Sequence, residues 1–130
     1  MGARHKARKR ALDILFEADQ RSQPLDTVLA NRVARGEGPA NAYTSALVAG
    51  VIEHQDEIDA LIEEHAVDWS HERMPAVDRS LLRLARFELR WSDEVAPAVA
   101  IDEAVELAKE LSTDDSPTFV NGVLGRIAAP

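Results

Sequence analysis

The residues of this 130-residue chain that could do chemistry gather in three places. Arg4, Lys6, Arg8, Lys9 and Arg10 lie within the first ten residues, with no acid among them. Cations at this density form an electrostatic footprint that phosphates can use. The plainer alternative is a solvated chain end. Arg79, Arg83, Arg86 and Arg90 follow one another at spacings of 4, 3 and 4, which makes one stripe of a helix. That stripe is either a solvated face paired with acids such as Asp78 and Glu88, or a docking face for RNA or an acidic protein surface. In the third place, Asp114 and Asp115 precede Phe119 near a helix start. As local structure this is a cap and a core ring. As chemistry, Phe119 can stack an unpaired base and a carboxylate can accept hydrogen bonds from base amino groups.

Catalytic and metal-binding constellations do not appear. The four histidines, His5, His54, His65 and His71, form no His-Glu-x-x-His or Glu-x-x-His pair. His54 and His65 lie on an apolar helical stripe and read as packed or partly exposed histidines. With no cysteine there is no thiol nucleophile, no disulfide and no thiolate metal site. The Gly-x-Ser-x-Gly elbow is absent. Gly36-Glu37-Gly38-Pro39 lacks the preceding strand and the following Lys-Ser/Thr of a phosphate-cradling loop. The acids Glu53, Asp56, Glu57, Glu63 and Glu64 read as a solvated helix face. Neither an enzyme activity nor a cofactor is expected.

The formal net charge of −8 taken alone argues against nucleic acid. Its distribution argues otherwise: residues 11–130 hold ten Lys/Arg against 23 Asp/Glu, a balance of −13. The cationic end therefore sits on an acidic body. Apolar residues make up 45% of the chain and aromatics 5%, so the core must be built from Ala, Leu, Val and Ile. This composition favours helices over sheets. The N-terminus lacks the apolar region of a secretory signal, and no stretch approaches the ~20 apolar residues that span a bilayer. A cytoplasmic protein with no membrane association is expected.

Periodicity places these residues on helices. Residues 3–21 carry Ala7, Ala11, Ile14, Leu15 and Ala18 on one stripe, widened by Leu12 and Phe16. Cations in the first turns oppose the helix dipole, a cost that points to function. A short helix with Leu25, Val28, Leu29 and Val33 follows Pro24. Residues 40–67 form a long helix with Tyr43, Leu47, Gly50, Val51, His54, Ile58, Leu61, Ile62 and His65 on one stripe. Trp69-Ser70 and Arg73-Met74-Pro75 mark a boundary. Pro75 to about Trp91 reads as a central, largely buried helix. A loop at 93–97 leads to a helix from about Val99 to Leu111. After the polar loop 112–116, Ser116 is placed to cap a last helix with Val120, Val123, Leu124 and Ile127. Gly122 and Gly125 in that helix imply the close approach of another backbone. Residues 1–130 thus read as all-α, a compact single-domain helical bundle of about six to seven helices with a basic arm at 1–10.

Three segments carry a family resemblance. Ala100-Ile101-Asp102-Glu103-Ala104-Val105-Glu106-Leu107-Ala108-Lys109, Asp115-Ser116 and Phe119-Val120-Asn121-Gly122-Val123-Leu124 resemble the C-terminal signature of the NusB family. Val77-Asp78-Arg79-Ser80-Leu81-Leu82-Arg83-Leu84 with Phe87-Glu88-Leu89 resembles that family's central helix. Arg8-Lys9-Arg10-Ala11 with Leu15-Phe16 resembles its arginine-rich first helix. The resemblance implies a bundle of two packed helical subdomains. It implies binding of a boxA-type single-stranded element in nascent ribosomal RNA transcripts, together with NusE, a small-subunit ribosomal protein. Other Nus factors and RNA polymerase would be indirect partners of that antitermination complex. Residue by residue, Arg4, Lys6, Arg8, Lys9 and Arg10 match the basic RNA-binding segment. Asp115 and Phe119 match positions close to RNA. Asp78 matches an acidic position near the NusE face, where Arg79 and Arg83 join it.

Competing expectations remain open on sequence grounds. An isolated NusB-like domain related to ribosomal RNA methyltransferases would need a catalytic domain for which this chain has no room. A helix-turn-helix repressor would place its cations at a recognition-helix start. A helical interaction scaffold would use the arginine stripe on an acidic partner. An apolar face left over can serve NusE or a second copy of the chain, as a homodimer that buries the arm.

Overall fold

A computed structural model of the chain describes residues 2–66 and 73–128. The helices are α1 (Ala3–Arg21), α2 (Leu25–Ala34), α3 (Ala42–His65), α4 (Ala76–Trp91), α5 (Pro97–Leu111) and α6 (Ser116–Ala128). The described residues contain no strand. Trp69, Ser70 and His71, placed by sequence at a boundary or among the histidines, lie outside the described residues.

Helix ends follow local chemistry. Ser22 closes α1 in the left-handed region at φ 51°, and the amides of Ser22 and Gln23 return to the carbonyls of Asp19 and Ala18. Asn41 caps α3, its side chain accepting from the Tyr43 and Thr44 amides at 2.8 and 3.2 Å. Pro24 and Pro75 stand just before α2 and α4, while Pro97 lies inside the first turn of α5 rather than in the expected loop. There its missing amide costs no hydrogen bond, so α5 starts earlier than its apolar spacing shows.

α4 is the hub. It packs against α1, α3, α5 and α6, while α1, α2 and α3 pack on one another and α5 packs on α6. A single apolar cluster draws on all six helices, from Leu15 and Val28 through Leu47, Leu81 and Leu82 to Leu107 and Leu124. Fully burying one such Leu is worth about 1.5–3 kcal/mol.

The glycines correct one expectation. A Cβ on Gly122 would meet only an Arg126 nitrogen at 3.5 Å, and one on Gly125 would meet nothing within 4 Å. Neither marks the close approach of a backbone. The tight place is Gly50 on α3, where a Cβ would lie 2.0 Å from Cε1 of Phe87. Phe87 stands in a stack with Trp91 and His54, so its ring has little room to retreat. Gly50→Ala should therefore destabilise the fold by roughly 1–3 kcal/mol through overpacking, even though Ala is the better helix former. Gly125→Ala should stabilise it by about 0.5–1 kcal/mol. Urea denaturation followed by helix circular dichroism reads both; equal signs for the two changes contradict this packing.

Candidate nucleic-acid interface

The cations of the basic arm occupy the first two turns of α1, and helical geometry divides them into two stripes. Arg8 faces inward, and Arg4, one turn before it, stays exposed at the margin of that stripe. Arg8 is only 4% exposed. Its Nε and Nη2 donate to Oε1 and Oε2 of Glu88 at 2.8 and 2.9 Å, a bidentate fork from α1 to α4. The Tyr43 hydroxyl, from α3, donates to the same Glu88 carboxylate. Arg4 donates to Glu94 at 2.7 Å, and its guanidinium lies 4.9 Å from the centre of the Tyr43 ring. His5 Nδ1 lies 2.5 Å from Glu103 of α5. Arg8, matched by sequence to an RNA-contacting cation, has its charge paired inside the fold.

This cluster shifts its own titrations. Burial opposes the charge of Arg8, but the hydrogen bond and charge of Glu88 outweigh it and raise the guanidinium pKa. Burial, then the bond to Glu88 and its negative charge, push Tyr43 up to about 12.

Lys6, Lys9 and Arg10 face outward on the second stripe, continued by Asp13 and Phe16 at spacings of 3 and 4. All three cations are exposed. Lys9 pairs with Glu110 of α5, and that hydrogen bond holds the Glu110 carboxyl below its ordinary pKa. Lys6 and Arg10 have no acidic partner among the described residues. Beside them runs a groove of about 590 Å³, lined by Leu12, Phe16, Val77 of α4 and Leu111 of α5 under the rim of Lys6, Lys9, Arg10 and Asp13. Leu111 keeps 38% of its surface in water. The apolar periodicity of residues 3–21 puts Phe16 on the core stripe instead. The missed signal was the 3–4 spacing that carries the Lys6–Lys9–Asp13 face on to Phe16.

The arginine stripe of α4 is neither wholly solvated nor paired as expected. Arg79 donates to Asp19 Oδ1 at 3.2 Å and Oδ2 at 2.5 Å, and to the Met74 carbonyl at 2.6 Å. Arg83 is buried and donates to Asp59 at 2.8 and 3.2 Å. These forks tie α4 to α1 and α3. The acids predicted to serve them are engaged elsewhere, since Glu88 holds Arg8 and Asp78 is 0% exposed. Ser112 and Ser116 donate to the two oxygens of Asp78 at 2.6 and 2.9 Å. Asp78 and Arg83 are thus internal ties rather than surface groups open to a partner. Arg86 and Arg90 flank Trp91, at 5.8 and 5.9 Å from the ring centre, and burial, then the charge of Arg90, lowers the Arg86 pKa.

Asp115 is exposed at the end of the loop that Asp78 secures. Phe119 is half-buried and packs against the apolar cluster, so part of its ring serves the core. Ser116, expected as a cap, opens α6 with its hydroxyl turned to Asp78.

Fold and site together define an all-helical bundle whose first helix carries an exposed cationic stripe beside an apolar groove. Comparison with known proteins specifies it further. The NusB family's sequence model matches residues 5–129. The transcription antitermination protein NusB of Saccharopolyspora erythraea is 62% identical over 98% of this chain and 88% of its own length. A structure of T. maritima NusB superimposes with a TM-score of 0.82 at 35% identity, covering 98% of this chain and 91% of that one. A crystal structure of antitermination factors NusB and NusE in complex with dsRNA matches with a TM-score of 0.78 at 30% identity, covering 98% of both chains. The chain belongs to the NusB family of transcription antitermination proteins.

The buried cluster makes two tests. Arg8→Ala should cost roughly 3–5 kcal/mol, because Glu88 is left as an uncompensated buried charge. Replacing both with Met should recover most of that loss in the same urea melts. A single change as mild as the double one would show that the pair is not desolvated. Tyr43 is the one tyrosine of the chain, so tyrosinate absorbance reads it alone. Its midpoint in the folded protein should fall near 12 rather than 10.0. Since the folded value is the higher, this contribution to stability is complete below the ordinary value of 10.0 and is lost as pH rises through about 12. Glu88→Gln should lower the midpoint but leave it above 10.0, because burial remains the largest cause.

Proposed function

We propose that this chain binds boxA-type single-stranded RNA in nascent ribosomal RNA transcripts, together with NusE, as the RNA-reading part of an antitermination complex. The observation that carries this reading is the outward stripe of Lys6, Lys9 and Arg10 on an otherwise acidic body. Such a patch attracts phosphates while the remaining surface repels non-specific nucleic acid. The similar chain in the complex of NusB and NusE with dsRNA supports both partners. Other Nus factors and RNA polymerase would be reached through that assembly. Action on nascent transcripts implies the cytoplasm.

The roles divide by position. Lys6, Lys9 and Arg10, with Arg4 at the margin, supply phosphate affinity with little sequence choice. Asp115 and the open part of Phe119 read base edges and faces. Arg8 contributes by fixing how α1 is turned. Asp78, Arg79 and Arg83 act on NusE indirectly, by holding the α5–α6 loop and the α1–α4 seam that shape its docking face. A modest cationic patch, partly answered by Glu110 and Glu94, makes a weak binder alone. Positive coupling with NusE of about 1–3 kcal/mol is therefore expected.

Fluorescence anisotropy with a boxA-like RNA, a scrambled RNA and a DNA duplex across a salt series tests this. The boxA-like RNA should bind best, and NusE should widen its lead. Replacing Lys6, Lys9 and Arg10 by Ala should flatten the slope of log K against log salt by about 2, at roughly 0.7 per phosphate contact on a single strand. Equal affinity for both RNAs in the presence of NusE would overturn the proposal.

A further inference from the structure

Half of the arginine stripe of α4 is left unanswered by the fold. Arg79 and Arg83 are tied to Asp19 and Asp59. Arg86 and Arg90 complete the stripe one turn apart, and among the described residues neither makes an ion pair or a side-chain hydrogen bond. Like charges at this spacing repel. Arg90 gains from the negative end of the helix dipole, but Arg86 stands a turn further in. Its Nε is buried without a partner, and burial, then the charge of Arg90, disfavours its ionised form. Such a group is costly to keep unless something outside the fold answers it.

Two further rows lie beside this pair. Phe87, Trp91 and His54 form a stack of rings on the seam between α4 and α3, with His54 on the indole at 3.8 Å. On α3 stand Glu53 and Glu57, four residues apart and both exposed. Glu53 lies 3.7 Å from Nε2 of His54, and the charge of Glu57 reaches Arg86 without closing an ion pair. The surface is thus a cationic row, an aromatic ridge and an acidic row. Trp and Arg are enriched among the side chains that carry binding energy between proteins. RNA fits this surface poorly, because it has no cation to answer Glu53 and Glu57. Nor can a base stack on Trp91, whose ring lies under His54 and the two guanidinium groups, at 5.8 and 5.9 Å.

We infer that this α3–α4 patch docks a helix of a partner protein that carries a row of carboxylates beside a row of cations. Its acids, four residues apart, fork onto Arg86 and Arg90. Its cations meet Glu53 and Glu57, and an apolar side chain between the rows rests on the edge of Trp91. Glu88, which faces α1, is two residues from both Arg86 and Arg90 and so points to the opposite side of α4. The patch therefore lies away from the outward stripe of α1 and is independent of RNA binding there.

A helical peptide of about 18 residues is the probe, with two Glu four apart, two Lys four apart on the neighbouring row and a Leu between them. The full-length protein is titrated with it, and the indole N–H of Trp91 is followed by NMR. The peptide should shift that signal, and its affinity should fall as salt rises. A peptide of the same composition, with one charge of each sign in each row, should bind roughly ten-fold more weakly. Arg90 is exposed, so Arg90→Glu leaves the core alone. It should weaken the peptide by a similar factor, and Lys in place of the facing Glu of the peptide should restore binding. Arg86→Gln with Arg90→Gln should abolish the shift and leave urea stability equal or higher, because the repulsion between the two is gone.

Equal binding of the two peptides, or full affinity in Arg90→Glu, would overturn the patch. So would a larger indole shift with single-stranded RNA than with the peptide, which marks a phosphate surface. Displacement of the peptide by NusE would overturn it by assigning the patch to the complex proposed above. Self-association in sedimentation, lost in Arg90→Glu, would overturn it by making a second copy of the chain the occupant. Each of these results leaves the RNA reading standing.

Discussion

The rotation of α1 about its own axis depends on one buried interaction, the Arg8–Glu88 fork with the Tyr43 hydroxyl on the same carboxylate. Burying an ion pair is expensive, and an apolar pair of similar size is often as stable. What the ionic pair adds is direction. A bidentate guanidinium–carboxylate contact accepts one geometry, whereas two apolar side chains tolerate a range of rotations. With Arg8 fixed on α4, Leu12 and Leu15, four and seven positions further along, turn inward too. Lys6, Lys9 and Arg10 are then left facing outward. The exposed charge is selected by the buried one.

The same constraint explains how α1 tolerates so many cations at its positive end. No acid lies in its first turn to offset the dipole. The compensation comes from elsewhere in the chain, through Glu94 before α5 and Glu103 and Glu110 on it. These carboxylates line one side of α1 only. The side that meets the groove keeps Lys6 and Arg10 without them. A local defect of the helix has become a difference between its two faces.

The helices were legible in the sequence because their apolar periodicity is local, and their ends because Pro, Asn and Ser act within a turn. The family was legible because its motifs run in order along the chain. The partners of the charged residues were not. Arg8 and Glu88 are 80 positions apart and Arg79 and Asp19 are 60 apart. Within the arm, composition gives Arg8 and Arg10 equal claims on phosphate, and only the packing of α1 separates them. Asp78 looked like a surface acid because it begins a helix, where acids are common; its serine partners lie 34 and 38 positions away. The glycines failed in the same manner. Spacing singled out Gly122 and Gly125, but it takes the ring of Phe87 on another helix to make Gly50 the crowded position.

α4 therefore does more than fill the core. Its side chains are distributed around the molecule: Glu88 to α1, Arg83 to α3, Arg79 to the end of α1 and Asp78 to the α5–α6 loop. Asp78 deserves the same reasoning as Arg8. Its carboxylate, accepting from Ser112 and Ser116, closes a loop of polar residues that would otherwise be free to move, and Asp115 stands on that loop. Leu111 ends α5 immediately before it, and Val77 adjoins Asp78 on α4. One enclosed acid of α4 thus holds the outward cations in place, and another holds the far wall of the groove. The cationic face of α1 and the groove beside it are held by two buried carboxylates.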